Sequence, residues 1–531
     1  MNYAKTLQNT PQTRPLSGQN MIKNNAGGYG YEITPQQQLE RFLLIGSEGG
    51  TYYVGEQKLT EDNARSIIEY IKSSPEAATQ VLDTVTTFAA ENRAPKMDPL
   101  LFVLALLCTY APESVKIGAY NNVATICKTA THLFTFVSQV NELRGWSYGL
   151  RRAVANWYTT KSNDKLAYQL VKYRNRSGFT HKDVLRLAHP KAKTETQNTL
   201  FKYAVDKDKG DPKATKIMYQ MECNNGLILA FESAQQTESI KELVQIISEH
   251  NLTWEMIPTQ YLNEPAVLTA LLDKMPTNAM IRNLNRFAKA GMTKGLSETT
   301  KTIINKLNEE AIQKSGIHPV NLINSLRTYS SGRGDLGGST WDVNTSIVSA
   351  LNDAYTYALK NVTPTGKSIL VGLDVSGSMN SPVTKTNMTA SQLGCVLAVT
   401  LAKTEKFAEI IGFDTQLQKI PVGKHTTIES ACKAQVNGGG TDCAVPFAYA
   451  LDTKAKYDAI VILTDSESWA GSKHGTVLLD QYRKKYNKDV KVVEIAMTSN
   501  PHSQLPANDP NILRVVGFDS NVVQIINEFL K

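Results

Sequence analysis

The apolar pattern of this 531-residue chain changes near residue 360, and this change limits the possible folds more than any other feature. From Thr34 to about Leu359, apolar residues recur at the spacing of a helix face, between short breaks rich in Pro, Gly and Asn. After Pro364, short apolar runs alternate with helical segments, which is typical of a parallel sheet covered by helices on both faces. The sequence therefore predicts an α + α/β fold, in which a helical part precedes a doubly wound sheet.

Three segments are predicted from these patterns, and the length supports them because 531 residues exceed what one core usually serves. Residues 1–33 form a polar N-terminal arm that is either flexible or packed on another domain. Residues 34–360 form either a large irregular helical domain or a solenoid whose helix pairs bury their apolar faces against each other. Residues 361–531 form the α/β domain.

Composition indicates a soluble globular chain, with 41% apolar and 20% charged residues. No apolar run reaches the length of a membrane span, and the first residues lack the apolar stretch of a signal peptide, so we expect a cytoplasmic protein with no membrane partner. The six cysteines have no C-x-x-C spacing and are expected to be buried thiols. Cys443 lies beside a candidate metal loop, where packing is the favoured role and soft ligation the alternative.

A candidate metal loop follows the apolar run Ile369–Leu373, which has the pattern of a buried parallel strand. Asp374, Ser376 and Ser378 come next at a spacing of two, so an extended loop would point their side chains the same way. One carboxylate and two hydroxyls are hard oxygen donors, the ligand type that suits Mg²⁺. The alternative is an ordinary Ser/Gly turn after a strand.

Two later loops supply the donors that such a site would still need. A glycine run ends in Thr441 at the start of a predicted helix, and a second buried strand ends in Asp465. The five residues resemble the metal-ion-dependent adhesion site of von Willebrand factor A domains. That resemblance implies a Mg²⁺ or other divalent ion with one open coordination position, which an acidic group of a partner fills. A loop set that no longer binds metal is the alternative.

Positive charge is concentrated in one part of the chain. The whole chain has a net charge of +8, whereas residues 144–193 contain twelve Lys and Arg against two acids, which leaves −2 for the remainder. A local basic concentration on a near-neutral chain is typical of binding to nucleic acid or another polyanion.

Two successive helices are predicted to carry these cations. The first spans Leu166–Arg176, with Lys165, Gln169, Lys172 and Arg176 on its outer face; the second begins at the cap-like Thr180. A solvated helix face is the alternative, although such faces usually mix charge signs. His181 and His189 could instead be capping or core residues. The candidate RNA-binding residues are Arg144, Arg151, Arg152, Lys172, Arg174, Arg176, His181, Lys182, Arg186 and His189.

No catalytic motif is found in the sequence. Gly366-Lys-Ser368 resembles the end of a P-loop, but Asn361 stands where the first glycine belongs. Arg333-Gly-Asp335 lies in a Gly/Ser-rich stretch and is interpreted as linker. A Mg²⁺-dependent phosphohydrolase built on the oxygen donors is a weaker alternative, since no nucleophile or base beyond Asp374 and Asp465 is available.

Taken together, the motifs resemble those of the Ro RNA-binding protein family, and more particularly of a bacterial-type member. Proteins of this family have a TROVE module of helical repeats before a von Willebrand A domain. The stretches that carry the resemblance run from about Gln36 to the C-terminus and are Gly46–Tyr53, Glu56–Leu59, Thr131–Phe136, Thr180–Leu187, Asp374–Met379, Gly439–Cys443 and Thr464-Asp465. The resemblance implies a closed ring of HEAT-like repeats, with small structured Y RNAs on an outer basic surface. It also implies that a central hole takes single-stranded 3′ ends of misfolded noncoding RNAs.

The expected function is therefore a noncatalytic RNA-binding protein of RNA quality control or stress response, with no DNA partner. The alternative is a Mg²⁺-dependent adhesion scaffold, whose A domain recruits an exoribonuclease or another acidic protein.

Overall fold

The structure, a computed structural model, describes residues 10–45, 61, 64–94, 96–207, 226–317, 319–334, 338–358, 364–382, 388–434, 438–498, 500–506, 509–516 and 522–530. These residues divide into two compact units, one from residues 68–91 and 96–306 and the other from the remaining described residues. Within the described part, no helix is both long and apolar enough to cross a membrane. The quoted stretches Gly46–Tyr53 and Glu56–Leu59 lie outside it.

The helical unit consists of short helices, as the sequence predicts, together with one small hairpin. Its helices are α2 (Arg65–Ser73, which begins just before the unit), α3 (Pro75–Glu91), α4 (Asp98–Tyr110), α5 (Glu113–Ile126), α6 (Ala130–Arg144), α7 (Tyr148–Thr159), α8 (Asn163–Lys172), α9 (His181–Ala188), α10 (Glu195–Lys207), α11 (Gly226–Gln236), α12 (Ile240–His250), α13 (Pro265–Lys274), α14 (Thr277–Arg282), α15 (Leu284–Lys289) and α16 (Glu298–Asn305). The hairpin strands are β3 (Asn175–Arg176) and β4 (Phe179–Thr180). Single 3₁₀ turns lie at Trp254–Met256 and Thr259–Tyr261.

Helix pairs stack in the first half of this unit. Helix α5 contacts α3 and α7, α7 contacts α9, and α4 packs along α6, so alternate helices form neighbouring rows. Helix α4 is buried on all sides from Pro99 to Cys108, which explains why its sequence is almost entirely apolar. This arrangement is typical of helix pairs that bury their faces against the next pair.

The second unit is built on a six-stranded sheet. The strands of the chain outside the hairpin are β1 (Met21–Lys23), β2 (Tyr29–Glu32), β5 (Ser368–Asp374), β6 (Phe407–Phe413), β7 (Leu417–Gln418), β8 (Ala459–Thr464), β9 (Lys491–Ala496), β10 (His502–Ser503) and β11 (Ile512–Val516). The six-stranded sheet has the order β11-β9-β8-β5-β6-β7, and only β7 is antiparallel. The predicted doubly wound α/β fold is therefore confirmed. Sequence analysis missed the two-residue strand β7, which is too short to show alternation.

Helices of this unit lie before, within and after the sheet strands. They are α1 (Pro35–Ile45), α17 (Glu309–Ser315), α18 (Pro319–Ser330), α19 (Thr345–Ala358), α20 (Ala390–Thr404), α21 (Ile428–Lys433), α22 (Val445–Thr453), α23 (Gly475–Lys485) and α24 (Val522–Leu530). Helix α20 packs on β5 and β6 with twelve buried residues, and every residue of β8 is buried. The predicted boundary at residues 360 and 361 falls outside the described residues.

The N-terminal residues pack on the α/β part. Strands β1 and β2 pair antiparallel, and β2 also pairs with β10 of the α/β part. The buried Arg41 guanidinium donates to the carbonyl oxygens of Asn500 and His502, which lie next to that pairing. Of the two possibilities that the sequence left open for this segment, residues 10–33 thus follow the packed one.

Only glycine fits at position 28, where this N-terminal segment packs closely on the α/β part. A β-carbon built on Gly28 would lie 1.9 Å from the carbonyl oxygen of Ser468, far inside van der Waals contact. Beside it, the Asn24 side chain donates to the same carbonyl at 2.6 Å and accepts from the Gly28 N–H at 2.7 Å. A side chain at position 28 would therefore separate the two backbones.

We predict that Gly28→Ala destabilises this packing by about 1–3 kcal/mol, the usual range for overpacking at a close contact. Hydrogen exchange should show faster exchange of the amides in β1 and β2. Gly423→Ala is the control, since a β-carbon there meets no atom within 4 Å. Equal amide protection in both variants would contradict the prediction.

Candidate functional sites

The candidate metal centre lies at the carboxyl edge of the sheet. Strands β5 and β8 are parallel neighbours with Leu373 opposite Leu463, so Asp374 and Thr464 end the two strands side by side. The Thr464 hydroxyl donates to Asp374 Oδ2 at 2.6 Å, and Asp465 follows directly. This is the edge where parallel sheets bind ligands.

The loop after β5 turns its side chains inward. The Ser376 N–H donates to Asp374 Oδ1 at 2.9 Å, and the hydroxyl oxygens of Ser376 and Ser378 are 3.1 Å apart. All three residues are buried. The structure thus brings together the carboxylate and the two hydroxyls that the spacing predicted would converge.

Thr441 is held beside that loop by the glycine run. The Gly377 N–H donates to the carbonyl oxygen of Gly439 at 3.0 Å, and Thr441 itself is buried. A β-carbon at Gly438 would lie 2.3 Å from the carbonyl oxygen of Val375, so only glycine permits this approach. The glycines therefore bring the second loop against the first.

Two buried carboxylates face each other in this site. Burial and the neighbouring charge of Asp465 raise the pKa of Asp374, while burial raises the pKa of Asp465 despite a hydrogen bond from Ser378. Asp465 Oδ1 accepts the Glu467 N–H at 3.1 Å, whereas the buried Asp465 Oδ2 has no hydrogen-bond partner among the residues that the structure describes. An orphaned acceptor beside a second carboxylate and three hydroxyls fits a hard divalent cation.

The donor set contains only two carboxylates. Within the described ranges, no cluster of three or more His, Cys, Asp and Glu side chains is placed to hold a metal ion. The Cys443 thiol is buried against the Thr464 hydroxyl, and burial keeps its pKa well above the usual value. A protonated thiol is a poor ligand, so the structure favours packing for Cys443.

Asp414 is a supporting residue that the sequence analysis missed. Its side chain accepts the Gly439 N–H at 2.9 Å, and its carbonyl oxygen accepts the Asp442 N–H at 2.9 Å. Burial acts to raise the pKa of Asp414, but hydrogen bonds from Gln418 and the Gly439 N–H outweigh it and hold the pKa below its ordinary value. Asp414 directly follows β6, so a search for every strand that ends in aspartate would have found it.

The predicted long basic helix is shorter in the structure. Helix α8 ends at Lys172, and the chain then forms the β3-β4 hairpin, in which Ser177 and Gly178 adopt positive φ angles. The predicted helical segment Leu166–Arg176 is therefore wrong in its last four residues. Gln169, predicted on the outer face, is buried, and its side chain accepts the Ala130 N–H at 2.7 Å.

The hairpin changes which cations face solvent. The exposed candidates are Arg144, Arg151, Arg152, Arg174, Arg176, Arg186 and His189, and Lys182 is half-buried. Lys172 is different, because its side chain is only 11% exposed. Its ammonium group donates to the Tyr168 hydroxyl at 2.8 Å and lies 3.7 Å from a carboxylate oxygen of Glu255.

The second predicted helix begins as expected. The Thr180 hydroxyl accepts the Asp183 N–H at 3.3 Å, and Asp183 Oδ2 accepts the Thr180 N–H at 2.9 Å, which completes a capping box. One of the two acids in the basic stretch is therefore engaged at a helix start. The exposed Arg186 and His189 lie at the other end of this helix.

His181 lies in the core of the helical unit. Its Nε2 contacts the carbonyl oxygen of Gln169 at 3.2 Å and its Nδ1 contacts the Tyr158 hydroxyl at 2.7 Å. Because a carbonyl oxygen only accepts, Nε2 donates and Nδ1 accepts in the neutral ring. Burial lowers the pKa of His181 to about 4. Both nitrogens are thus used internally, which favours the core role over RNA contact.

Comparison with known proteins matches both parts of the chain. The TROVE domain matches residues 22–328, and the Ro60 vWA domain matches residues 368–530. The RNA-binding protein RO60 of Caenorhabditis elegans is 31% identical in an alignment 602 positions long, which covers 99% of this chain and 92% of that protein. The RNA-binding protein RO60 of Deinococcus radiodurans is 34% identical over 533 residues, which cover 98% of this chain and 97% of that protein.

A solved structure has the same architecture. The crystal structure of the Deinococcus radiodurans RO (RSR) protein matches with a TM-score of 0.69 and 31% identity, over 94% of this chain and 99% of that chain. The class is thus defined as a helical TROVE domain followed by a vWA domain. The chain belongs to the Ro60 family, and the predicted resemblance is confirmed.

We predict that His181 makes stability sensitive to acid. Its pKa is about 6.5 in the unfolded chain and about 4 when folded, so the unfolded state binds the proton first as pH falls. The free energy of unfolding should therefore decrease from pH 6.5 towards pH 4, by about 2 kcal/mol between pH 7 and pH 5.

Urea denaturation of wild type and His181→Gln at pH 7 and pH 5 tests this prediction. The stability difference between them should narrow by about the same amount at pH 5, because glutamine does not titrate. Parallel loss of stability in both proteins would contradict the assignment to His181.

Proposed function

We propose that this protein is a noncatalytic RNA-binding protein that holds RNA on the basic surface formed by Arg151, Arg152, Arg174, Arg176, Arg186 and His189. The observation that carries the proposal is the exposure of these side chains within a stretch of +10 charge. Guanidinium groups bind phosphate through two parallel hydrogen bonds, so exposed arginines suit an RNA backbone. The relatives from Caenorhabditis elegans and Deinococcus radiodurans are both RNA-binding proteins by name.

The finer proposal is that the RNAs are small structured Y-type RNAs, and that single-stranded 3′ ends of misfolded noncoding RNAs occupy a central hole. It rests on the family resemblance, which also motivates a role in RNA quality control or stress response in the cytoplasm. The hairpin β3-β4 supports the part that concerns structured RNA. Arg174 directly precedes β3 and Arg176 ends it, beside the tight turn at Ser177 and Gly178, where both side chains are exposed and can reach phosphates that a flat helix face would not.

The RNA proposal predicts the effect of replacing Arg174, which directly precedes the hairpin, together with Arg176, which lies in it. Arg174→Gln with Arg176→Gln should weaken binding of a stem-loop RNA about tenfold, similarly for different sequences. The slope of log affinity against log salt should become shallower by about 0.9 per lost phosphate contact. Filter binding at several salt concentrations measures both quantities.

Lys484→Gln with Lys488→Gln is the matched control, because both lysines are exposed and lie in the α/β part. The control changes the net charge by the same amount but should leave affinity and slope unchanged. An unchanged slope in the hairpin variant would refute the proposed surface.

A second function is proposed for the A domain, namely Mg²⁺-dependent adhesion of an acidic partner such as an exoribonuclease. Asp465 Oδ2, which has no hydrogen-bond partner within the described part of the chain, lies beside Asp374, Ser376, Ser378 and Thr441 and favours it. These residues would hold the ion, and a carboxylate of the partner would complete its coordination. The two functions are compatible, because their residues lie on different units.

We predict that excess Mg²⁺ raises the unfolding temperature of wild type, because an ion that binds only the folded state stabilises it. Asp465→Asn should remove this shift. In EDTA the same variant should be at least as stable as wild type, since it relieves the repulsion between two buried carboxylates. Thermal scans with Mg²⁺ and with EDTA measure both effects.

Asp452→Asn serves as the control, because Asp452 is exposed on the helix that follows the glycine loop. An equal Mg²⁺ shift in the Asp465→Asn variant and in this control would rule out the site. A partner pulldown that EDTA leaves unchanged would count against adhesion through the ion.

A further inference from the structure

A groove of about 800 Å³ lies between α5 and α7 of the helical unit. Of the residues that form the proposed basic surface, only Arg152 also lines this groove. The residues that matter for its chemistry are Lys116, Asn121, Arg144, Tyr148, Arg152 and Asn156. Its volume falls within the range of small-ligand sites in proteins, about 300–1,000 Å³.

The groove is electropositive. Among the described residues, its lining contains Lys116, Arg144 and Arg152 and a single acid, Glu113. The Arg144 guanidinium also donates to the carbonyl oxygen of Cys108, which restrains its side chain in the lining of the groove. Such a lining favours an anionic ligand over a neutral one.

An exposed aromatic ring stands at this lining. Tyr148 is 73% exposed, more than any other large hydrophobic side chain of the described residues. The Arg152 guanidinium lies 5.9 Å from the centre of the Tyr148 ring. A ring in water beside a cation is the arrangement with which proteins stack unpaired bases and bind the adjoining phosphate.

The wall that carries Tyr148 is fixed before any ligand binds. Ser147 caps α7 by accepting the Leu150 N–H at 3.2 Å, and its hydroxyl oxygen is 3.2 Å from the buried Tyr120 hydroxyl of α5. The start of α7 is therefore tied to α5 across the groove. A pre-organised wall reduces the entropy lost on binding.

We propose that this groove binds one unpaired nucleotide of a single-stranded RNA. The base stacks on Tyr148, the adjoining phosphates face Arg144 and Arg152, and the amides of Asn121 and Asn156 supply donors and acceptors for the base edge. An acidic peptide would use the cations but not the exposed ring, which is why a nucleotide is the favoured occupant. The inference rests on the proposed RNA-binding function and adds a base-binding subsite to it.

The test uses the full chain with two RNAs, a ten-residue oligouridine and a blunt stem-loop without single-stranded ends. Tyr148→Ala should raise the dissociation constant of the oligouridine about tenfold and leave that of the stem-loop within twofold. Tyr148→Phe should retain nearly full affinity because stacking needs only the ring. Arg152→Gln should make the salt slope of oligouridine binding shallower by about 0.7.

Leu296→Ala is the control, since Leu296 is also strongly exposed in the helical unit but lies outside the groove. Photocrosslinking of an oligonucleotide that contains 5-iodouridine should map to the peptide with Tyr148. Unchanged oligouridine affinity in Tyr148→Ala, while the Arg174 and Arg176 double variant weakens RNA binding, would overturn this inference and leave the proposed function standing.

Two further outcomes would also overturn it. If wild type binds neither RNA, the proposed function itself fails. If poly-glutamate displaces oligouridine from wild type and Tyr148→Ala has no effect on either ligand, the groove belongs to an acidic protein.

Discussion

The parallel pairing of β5 with β8 is the constraint on which the A domain depends, because it buries Asp374 and Asp465 at one edge of the sheet. Two carboxylates in a dry site repel each other and must be compensated. The Thr464 hydroxyl and the backbone N–H groups of Ser376 and Glu467 supply part of that compensation. Asp465 Oδ2 remains without a hydrogen-bond donor among the described residues, and a divalent ion is proposed there.

The same constraint explains the polar N-terminal segment. The loop after Asp465 carries Glu467, which is also fully buried, and burial raises its pKa to about 7. The Asn25 side chain donates to the Glu467 carboxylate at 2.7 Å, and the Ala26 N–H donates to it at 3.1 Å. Both donors lie more than 440 positions away in the chain. The polar composition of this N-terminal arm, rich in Gly and Asn, is therefore suited to a close polar contact, since small residues let the backbone approach the loop.

In the helical unit, tertiary contacts decide which of the basic side chains are exposed and which are packed inside, and the sequence alone does not show this. Lys172 and Arg174 are two positions apart, yet Lys172 packs against Tyr168 and Glu255 while Arg174 is exposed just before the hairpin. His181 is buried and hydrogen-bonded to Tyr158 and Gln169, so it does not face solvent. The proposed RNA surface is consequently formed mainly by arginines. The groove beside Tyr148 is also lined by cations, and there we propose that an unpaired nucleotide binds.

The sequence by itself determined the order of the helical and α/β parts, the buried strand that ends at Asp374, and the placement of Asp374 and Asp465 at one edge of the sheet. These follow from local periodicity and from the rule that parallel strands end at one edge. Only the tertiary structure decided that α8 stops at Lys172, that Asp414 holds the glycine loop, and that residues near Asn25 cover Glu467. Those outcomes depend on contacts between residues far apart in the chain, and local spacing carries no information about which distant partner a side chain meets.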